Sequence, residues 1–332
     1  MSRSMKYSIE QSVKRPDLFA PSGDVRLAIH TWGEPPTPAR PREVLVLVHG
    51  FPDRALFWEK VADALREDFY VVAFDMRGCG NSTPISGRRH YHFTPLLNDL
   101  YAVIDTVMNT VSPGQKVHLV GHDWGGIYGW DAIGDPEGSK RIASFITMSP
   151  SLDHVGFYLR RRFLKPTPRN LWQAFGQLAR NSLMTFFTLP LLPELLFRSG
   201  LGALMFRRLV GHYEPRITFR KNEGMEGDAI RYLGIYRANL LQRVLFPKVA
   251  KSAVPVHVVM AVNDPFLPPA VFEVCPESTA RYSASTVDAA HWAPLSRPQE
   301  LAAAIATFVL ANAAAPITAA DTAHTDATGV TA

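Results

Sequence analysis

Three side chains carry the chemistry open to this chain: Asp123, Asp264 and His291. Asp123 stands in Gly121-His122-Asp123-Trp124-Gly125-Gly126, after the strand-type run 117–120 and before a helix-like stretch, 127–133. The spacing Gly-x-Asp-x-Gly has the form of a nucleophile elbow with aspartate in place of serine. A sharp strand-to-helix turn strains its central residue, and glycines two before and two after let the crossing backbones approach. A serine there needs a base. A carboxylate, with an ordinary pKa of about 3.9, is ionised already. It suits attack on an electrophilic saturated carbon, such as an epoxide or a carbon–halogen bond, and leaves an ester on the protein. Alone, the motif fits a helix N-cap aspartate equally well.

That ester must be cleaved by water, which calls for a base near neutral pH. His291, in Asp288-Ala-Ala-His291-Trp292, fits this need, and Asp264, in Asn263-Asp264-Pro265, can hold its tautomer and steady the imidazolium. The chain order nucleophile, acid, base belongs to elbow architectures. His49-Gly50-Phe51-Pro52 follows another buried strand. Its Phe51 N–H, with the N–H of Trp124, is expected to form an oxyanion hole. The Phe51–Pro52 bond is a candidate for the cis form.

These residues need a scaffold that brings distant loops together. Strands are expected at 24–32, 44–48, 70–74, 117–121, 144–148, 255–261 and near 280–283, with helices at 56–65, 95–109, after the elbow and at 300–311. The alternation predicts an α/β fold: a mostly parallel sheet flanked by helices, whose strand C-terminal ends share one edge. It breaks at Pro150. Residues 151–246 read as an inserted helical cap interrupted at Pro166, Pro168, Pro190, Pro193 and Pro215. The core is thus expected at 1–150 and 247–311. The Ala/Thr/Asp-rich segment 312–332 is expected to be a disordered tail or a truncated linker.

The 332 residues are 47% hydrophobic and 20% charged, enough for a large globular core. Only two cysteines occur, so no disulfide framework is expected and a reducing, cytoplasmic setting is favoured. No apolar signal core or membrane-length run is present. Residues 151–250 hold 16 Lys and Arg against 6 Asp and Glu, a balance of +10, which leaves −5 for the rest of a chain at +5. A basic, apolar middle suits peripheral contact with an anionic membrane or an amphiphilic substrate, and also suits a merely solvated face. No nucleic-acid motif accompanies the charge. No metal, flavin or nucleotide site is indicated, and the chemistry requires no cofactor.

The motifs His49-Gly-Phe-Pro52, Asp75-x-Arg77-Gly78-x-Gly80-x-Ser82, Gly121-His-Asp-Trp-Gly-Gly126, Asn263-Asp264 and His291-Trp292 resemble the α/β-hydrolase superfamily, and most closely its epoxide hydrolases. In that family two cap tyrosines bind the epoxide oxygen. Tyr236, in Ile235-Tyr236-Arg237-Ala-Asn239, matches the second. At the first, Leu183 replaces tyrosine in Leu183-Met-Thr-Phe-Phe187-Thr-Leu-Pro190, with Tyr158, Tyr213 or Tyr232 as candidate substitutes. The resemblance implies an epoxide substrate, and the long apolar runs of the cap (Phe186, Phe187, residues 189–192 and 195–197) suggest a lipophilic one, with His49, Trp172, Leu183 and Phe187 as expected contacts. Haloalkane or haloacid dehalogenation would use the same triad, although related halide sites often carry Asn where Phe51 stands. A non-catalytic or regulatory domain of a longer fusion protein is the remaining alternative, and the oligomeric state is open.

Overall fold

The computed structural model describes residues 7–9, 14–219, 224–248 and 250–313; the expected tail lies beyond these from residue 314. The strands are β1 (Tyr7–Ile9), β2 (Leu18–Ser22), β3 (Val25–Trp32), β4 (Val44–Val48), β5 (Tyr70–Phe74), β6 (Val117–Gly121), β7 (Ile142–Thr147), β8 (Ile217–Phe219), β9 (Val256–Ala261) and β10 (Tyr282–Val287). The helices are α1 (Glu59–Leu65), α2 (Phe93–Val111), α3 (Trp124–Gly134), α4 (Pro136–Arg141), α5 (Leu152–Leu164), α6 (Pro168–Arg180), α7 (Ser182–Phe186), α8 (Leu192–Arg198), α9 (Leu201–Tyr213), α10 (Met225–Leu245), α11 (Ala293–Ser296) and α12 (Pro298–Leu310).

Eight strands form one sheet in the order β10-β9-β7-β6-β4-β5-β3-β2, and β1 pairs with β8 apart from it. Pairing is parallel from β10 to β5 and antiparallel from β5 through β3 to β2. Strand β4 shows why the layers form. Its five residues are all buried. Val44, Val46 and Val48 join the apolar layer containing Leu100 and Ile104 of α2, and Leu45 and Leu47 join the layer containing Val61 of α1 and Leu301 of α12. A strand covered on both faces needs apolar residues at every position, not at alternate ones.

The chain leaves the sheet after β7 and returns at β9. Helices α5 to α10 fill the interval, with ends near the prolines: Pro168 opens α6, Pro193 lies in the first turn of α8, and α9 stops before Pro215. This layer is tied to the core by charge. Arg243 of α10 bonds Asp153 of α5 at 2.8 Å and Asp131 of α3 at 2.6 Å. Arg54 reaches Asp228 of α10 at 2.6 Å, and that carboxylate also accepts the Gly80 N–H at 3.0 Å.

Two sequence expectations change at the sheet edges. β2 was not expected, and the last strand extends from Tyr282 to Val287 rather than ending near Ser283. Both are edge strands with polar or proline-containing sequences, which blur the strand pattern. The helix expected at 56–65 begins as a 3₁₀ turn, Ala55–Trp58, before α1. Cys79 and Cys275 are free and buried. Among the described residues no helix is long and apolar enough to cross a membrane.

Candidate active site

Asp123 sits between β6 and α3 with φ 49° and ψ −123°, a left-handed backbone that costs a non-glycine residue about 1–3 kcal/mol. Its neighbours leave room only for glycine. A Cβ on Gly125 would lie 2.3 Å from the Val48 carbonyl oxygen, and one on Gly50 would lie 2.3 Å from Asp123 Oδ2. The turn delivers the carboxylate to backbone donors: Phe51 N–H donates to Oδ2 at 2.8 Å, and Trp124 N–H also bonds the group. The Phe51–Pro52 bond is cis. Burial pushes the Asp123 carboxyl above its usual range, while the charge of His291 and these N–H groups pull it back.

His291 lies on the loop between β10 and α11. Its Nδ1 donates to Asp264 Oδ2 at 2.8 Å. Asp264 follows β9, and its Oδ1 accepts the N–H groups of Phe266 at 2.7 Å and Leu267 at 3.0 Å. Burial would raise the Asp264 carboxyl, but the His291 charge and these donors hold it below its usual value. Burial likewise drives His291 down, yet Asp264 and then Asp123 outweigh it and lift the imidazole to about 9. The loop is fastened twice: Ala290 N–H donates to Glu214 at 2.8 Å, and His122 Nε2 bonds the His291 carbonyl at 2.8 Å. Burial, then the His291 charge, lowers His122 to about 3, so it is a neutral donor.

Asp123, His291, Tyr236 and Phe51 open on one cavity under the cap, with Leu183 and Phe187 in its wall. Tyr236 packs edge-on against Trp124, ring centroids 4.9 Å apart. Burial, then Asp123, raises its phenol well above the ordinary value, so it stays protonated.

Two expected substrate contacts are corrected. His49 is fully buried behind the site and does not line the cavity; its Nε2 accepts the Met76 N–H at 3.0 Å, which fixes the loop carrying Phe51. Trp172 is 81% exposed on the outer face of α6. None of the three alternative tyrosines lines the cavity. Tyr232 donates to Met76 Sδ at 2.6 Å, Tyr158 is buried beneath Arg162, and Tyr213 is partly exposed.

Two residues not singled out from sequence belong to the site region. Asp53 immediately follows His49-Gly-Phe-Pro52. Burial, then Asp123, pushes its carboxyl up to about 8, so it holds a proton at neutral pH, and its Oδ2 is buried without a partner among the described residues. Its adjacency to the motif is the signal that could have found it. Asn181 lines the cavity two residues before Leu183. Gln177 Nε2 donates to Phe266 O at 2.9 Å and to Asn181 Oδ1 at 3.0 Å. The Asn181 oxygen is thereby engaged, and its NH₂ has no partner among the described residues. No sequence signal marks it.

A sequence profile described as "Alpha/beta hydrolase family" matches residues 45–304. The chain belongs to the alpha/beta hydrolase family. It is 33% identical over 298 residues to a Mycobacterium tuberculosis protein named "Probable oxidoreductase EphD", covering 87% of this chain and 48% of that protein. The chain therefore spans about half the length of that curated relative. It is 24% identical over 289 residues to human "Epoxide hydrolase 4", covering 81% of this chain and 73% of that one. Among solved structures it is similar to an epoxide hydrolase from Bacillus megaterium crystallised with its diol product. The TM-score is 0.68 and the identity 22%, over 88% of this chain and 100% of the other. That likeness shows the fold.

Proposed function

We propose that this alpha/beta hydrolase opens a lipophilic epoxide to a vicinal diol through an ester on Asp123. The observation that carries the reading is the meeting of three groups at one cavity. They are a buried carboxylate, an imidazole backed by a second carboxylate, and a protonated phenol. Asp123 attacks the less hindered epoxide carbon. The C–O bond breaks, and the departing oxygen takes a hydrogen bond from Tyr236. His291, in its neutral form, then removes a proton from water that attacks the Asp123 ester carbonyl. The acyl C–O bond breaks, and the departing diol oxygen takes the proton back from the imidazolium. The second water proton, lost from the regenerated Asp123 carboxyl, balances the one taken up by the oxygen freed at ring opening. The Phe51 and Trp124 N–H groups hold the developing oxyanion. The relatives named epoxide hydrolases support this reaction. The oxidoreductase name brings no reaction here, since half of that relative lies outside the match.

Leu183 leaves one phenol where the resemblance implies two. We assign the second hydrogen bond to the Asn181 NH₂, which is presented by the Gln177 contact. The wall is apolar apart from these groups, with Leu152, Val155, Met184, Phe206 and Leu209 among its residues, which favours a lipophilic substrate.

Halide displacement is the second reading. It is favoured by the buried Trp124 indole N–H next to the nucleophile, a donor directed at the Tyr236 hydroxyl. A side-by-side screen for diol formation from epoxides and halide release from haloalkanes tests both, with Asp123→Asn as control. Diol formation abolished by the substitution is the expected result. Halide release without diol would favour the second reading, and neither product would remove both.

A further inference from the structure

Helix α6 is built inside out. Its buried positions include the polar Gln177 beside Ala174, whereas Trp172, Phe175 and Leu178, spaced three apart, face solvent. Trp172 is 81% exposed and Phe175 59%. The face continues onto the end of α5. The Phe163 ring meets Phe175 edge-on at 5.8 Å, and Leu164 beside it is 71% exposed. Five large apolar side chains on one corner of the cap amount to a contiguous patch, and such patches mark interaction sites.

The charge around it is predominantly positive. Residues 154–213 hold nine Lys and Arg and a single acid, Glu194, which Arg237 engages at 2.6 Å. Around the patch, Arg160, Lys165, Arg169 and Arg180 are exposed and have no carboxylate partner among the described residues. The two nearby carboxylates, Glu273 and Glu277, are taken up by Arg162 and Arg161.

We propose that this α5–α6 face docks the protein on an anionic membrane surface. Aromatic and aliphatic side chains ringed by unpaired cations suit the boundary between acyl chains and anionic headgroups. A second copy of the chain fits less well, because a symmetric contact would set these cations against their own equivalents. α6 leads through Asn181 directly into the cavity wall, so docking would bring that wall to the lipid.

Trp172 supplies the probe, since the other five tryptophans are buried. The full chain is mixed with phosphatidylcholine vesicles with or without phosphatidylglycerol. Co-sedimentation and acrylamide quenching are then read, with no substrate present. The anionic vesicles should sediment the protein and shield Trp172, and added salt should reverse both. Lys165→Gln with Arg169→Gln should weaken binding roughly 30-fold, at about a factor of five per charge, with the melting temperature unchanged. Failure of anionic vesicles to bind or to shield Trp172 would overturn the proposal. So would equal binding by the double variant, or shielding that grows with protein concentration alone.

Discussion

At the scale of single residues the site is a set of opposed charges placed where water is scarce. Burial raises Asp123 and lowers His291, and each charge partly rescues the other. Esterification removes the Asp123 charge, so the imidazole of the intermediate should titrate below the resting value of about 9. Ester cleavage needs neutral His291. In rapid-quench experiments the cleavage rate should therefore climb with pH and level off at a midpoint below 9, and Asp264→Asn should move that midpoint lower. A rate falling across the same range would contradict a basic role for His291. The linkage to folding has a definite sign. An imidazole raised from 6.5 to about 9 contributes stability that is complete below pH 6.5 and lost as pH rises through 9.

The single phenol has its own consequence. Tyr236→Phe should lower kcat for epoxide opening by about 10²–10³, the effect of removing one donor from a developing oxyanion. Asn181→Ala should lower it by a smaller factor, while Leu183→Ala should mainly change KM. Equal kcat for wild type and Tyr236→Phe would remove the phenol from the reaction. Asp123, Asp264 and His291 were legible in the sequence because each ends a recognisable strand or follows one, and such ends gather at one sheet edge. Asn181 was not, since its orientation depends on Gln177, one turn earlier, which is itself held by the distant Phe266 carbonyl. Trp172 was misplaced for a similar reason. Helical spacing shows that Trp172 and Phe175 share a face but not whether that face turns inward.

At the scale of elements, the buried strands were the readable part. β4, β5 and β6 are covered on both sides; β4 and β5 carry unbroken apolar runs, and β6 is interrupted by His118, which is buried against Ser144. The edge strands were not, because β2 contains Pro21 and β10 reads Tyr-Ser-Ala-Ser-Thr-Val. The motif Asp75-x-Arg77-Gly78-x-Gly80-x-Ser82 proves to be scaffold. Asp75 accepts the N–H groups of Ala55 and Asn81, each at 2.8 Å, and Arg77 grips Asp99 through two bonds of 2.6 Å. The Arg243 tie between α10, α5 and α3 carries an energetic prediction. Arg243→Gln leaves Asp153, almost fully buried, and Asp131 without their cation, which should cost about 3 kcal/mol in urea unfolding. An unchanged midpoint would show that the tie contributes nothing to stability.

At the scale of the molecule, the parallel part of the sheet positions Asp123, Asp264 and His291, and a helical layer contributes Tyr236 and the apolar walls. The two enclose the cavity and are tied beside it by the Arg243–Asp131 and Arg54–Asp228 pairs. The cap sequence predicted helices and breaks, but its outer surface came from the structure alone: α6 turns aromatic residues to solvent and keeps a glutamine inside. The chain spans about half the length of its longer mycobacterial relative. The most direct test is intact-mass spectrometry of His291→Gln protein after incubation with an epoxide. The predicted result is a stoichiometric adduct of the epoxide's mass that maps to Asp123 and is absent from Asp123→Asn protein. Diol release by His291→Gln with no adduct on Asp123 would contradict the ester route.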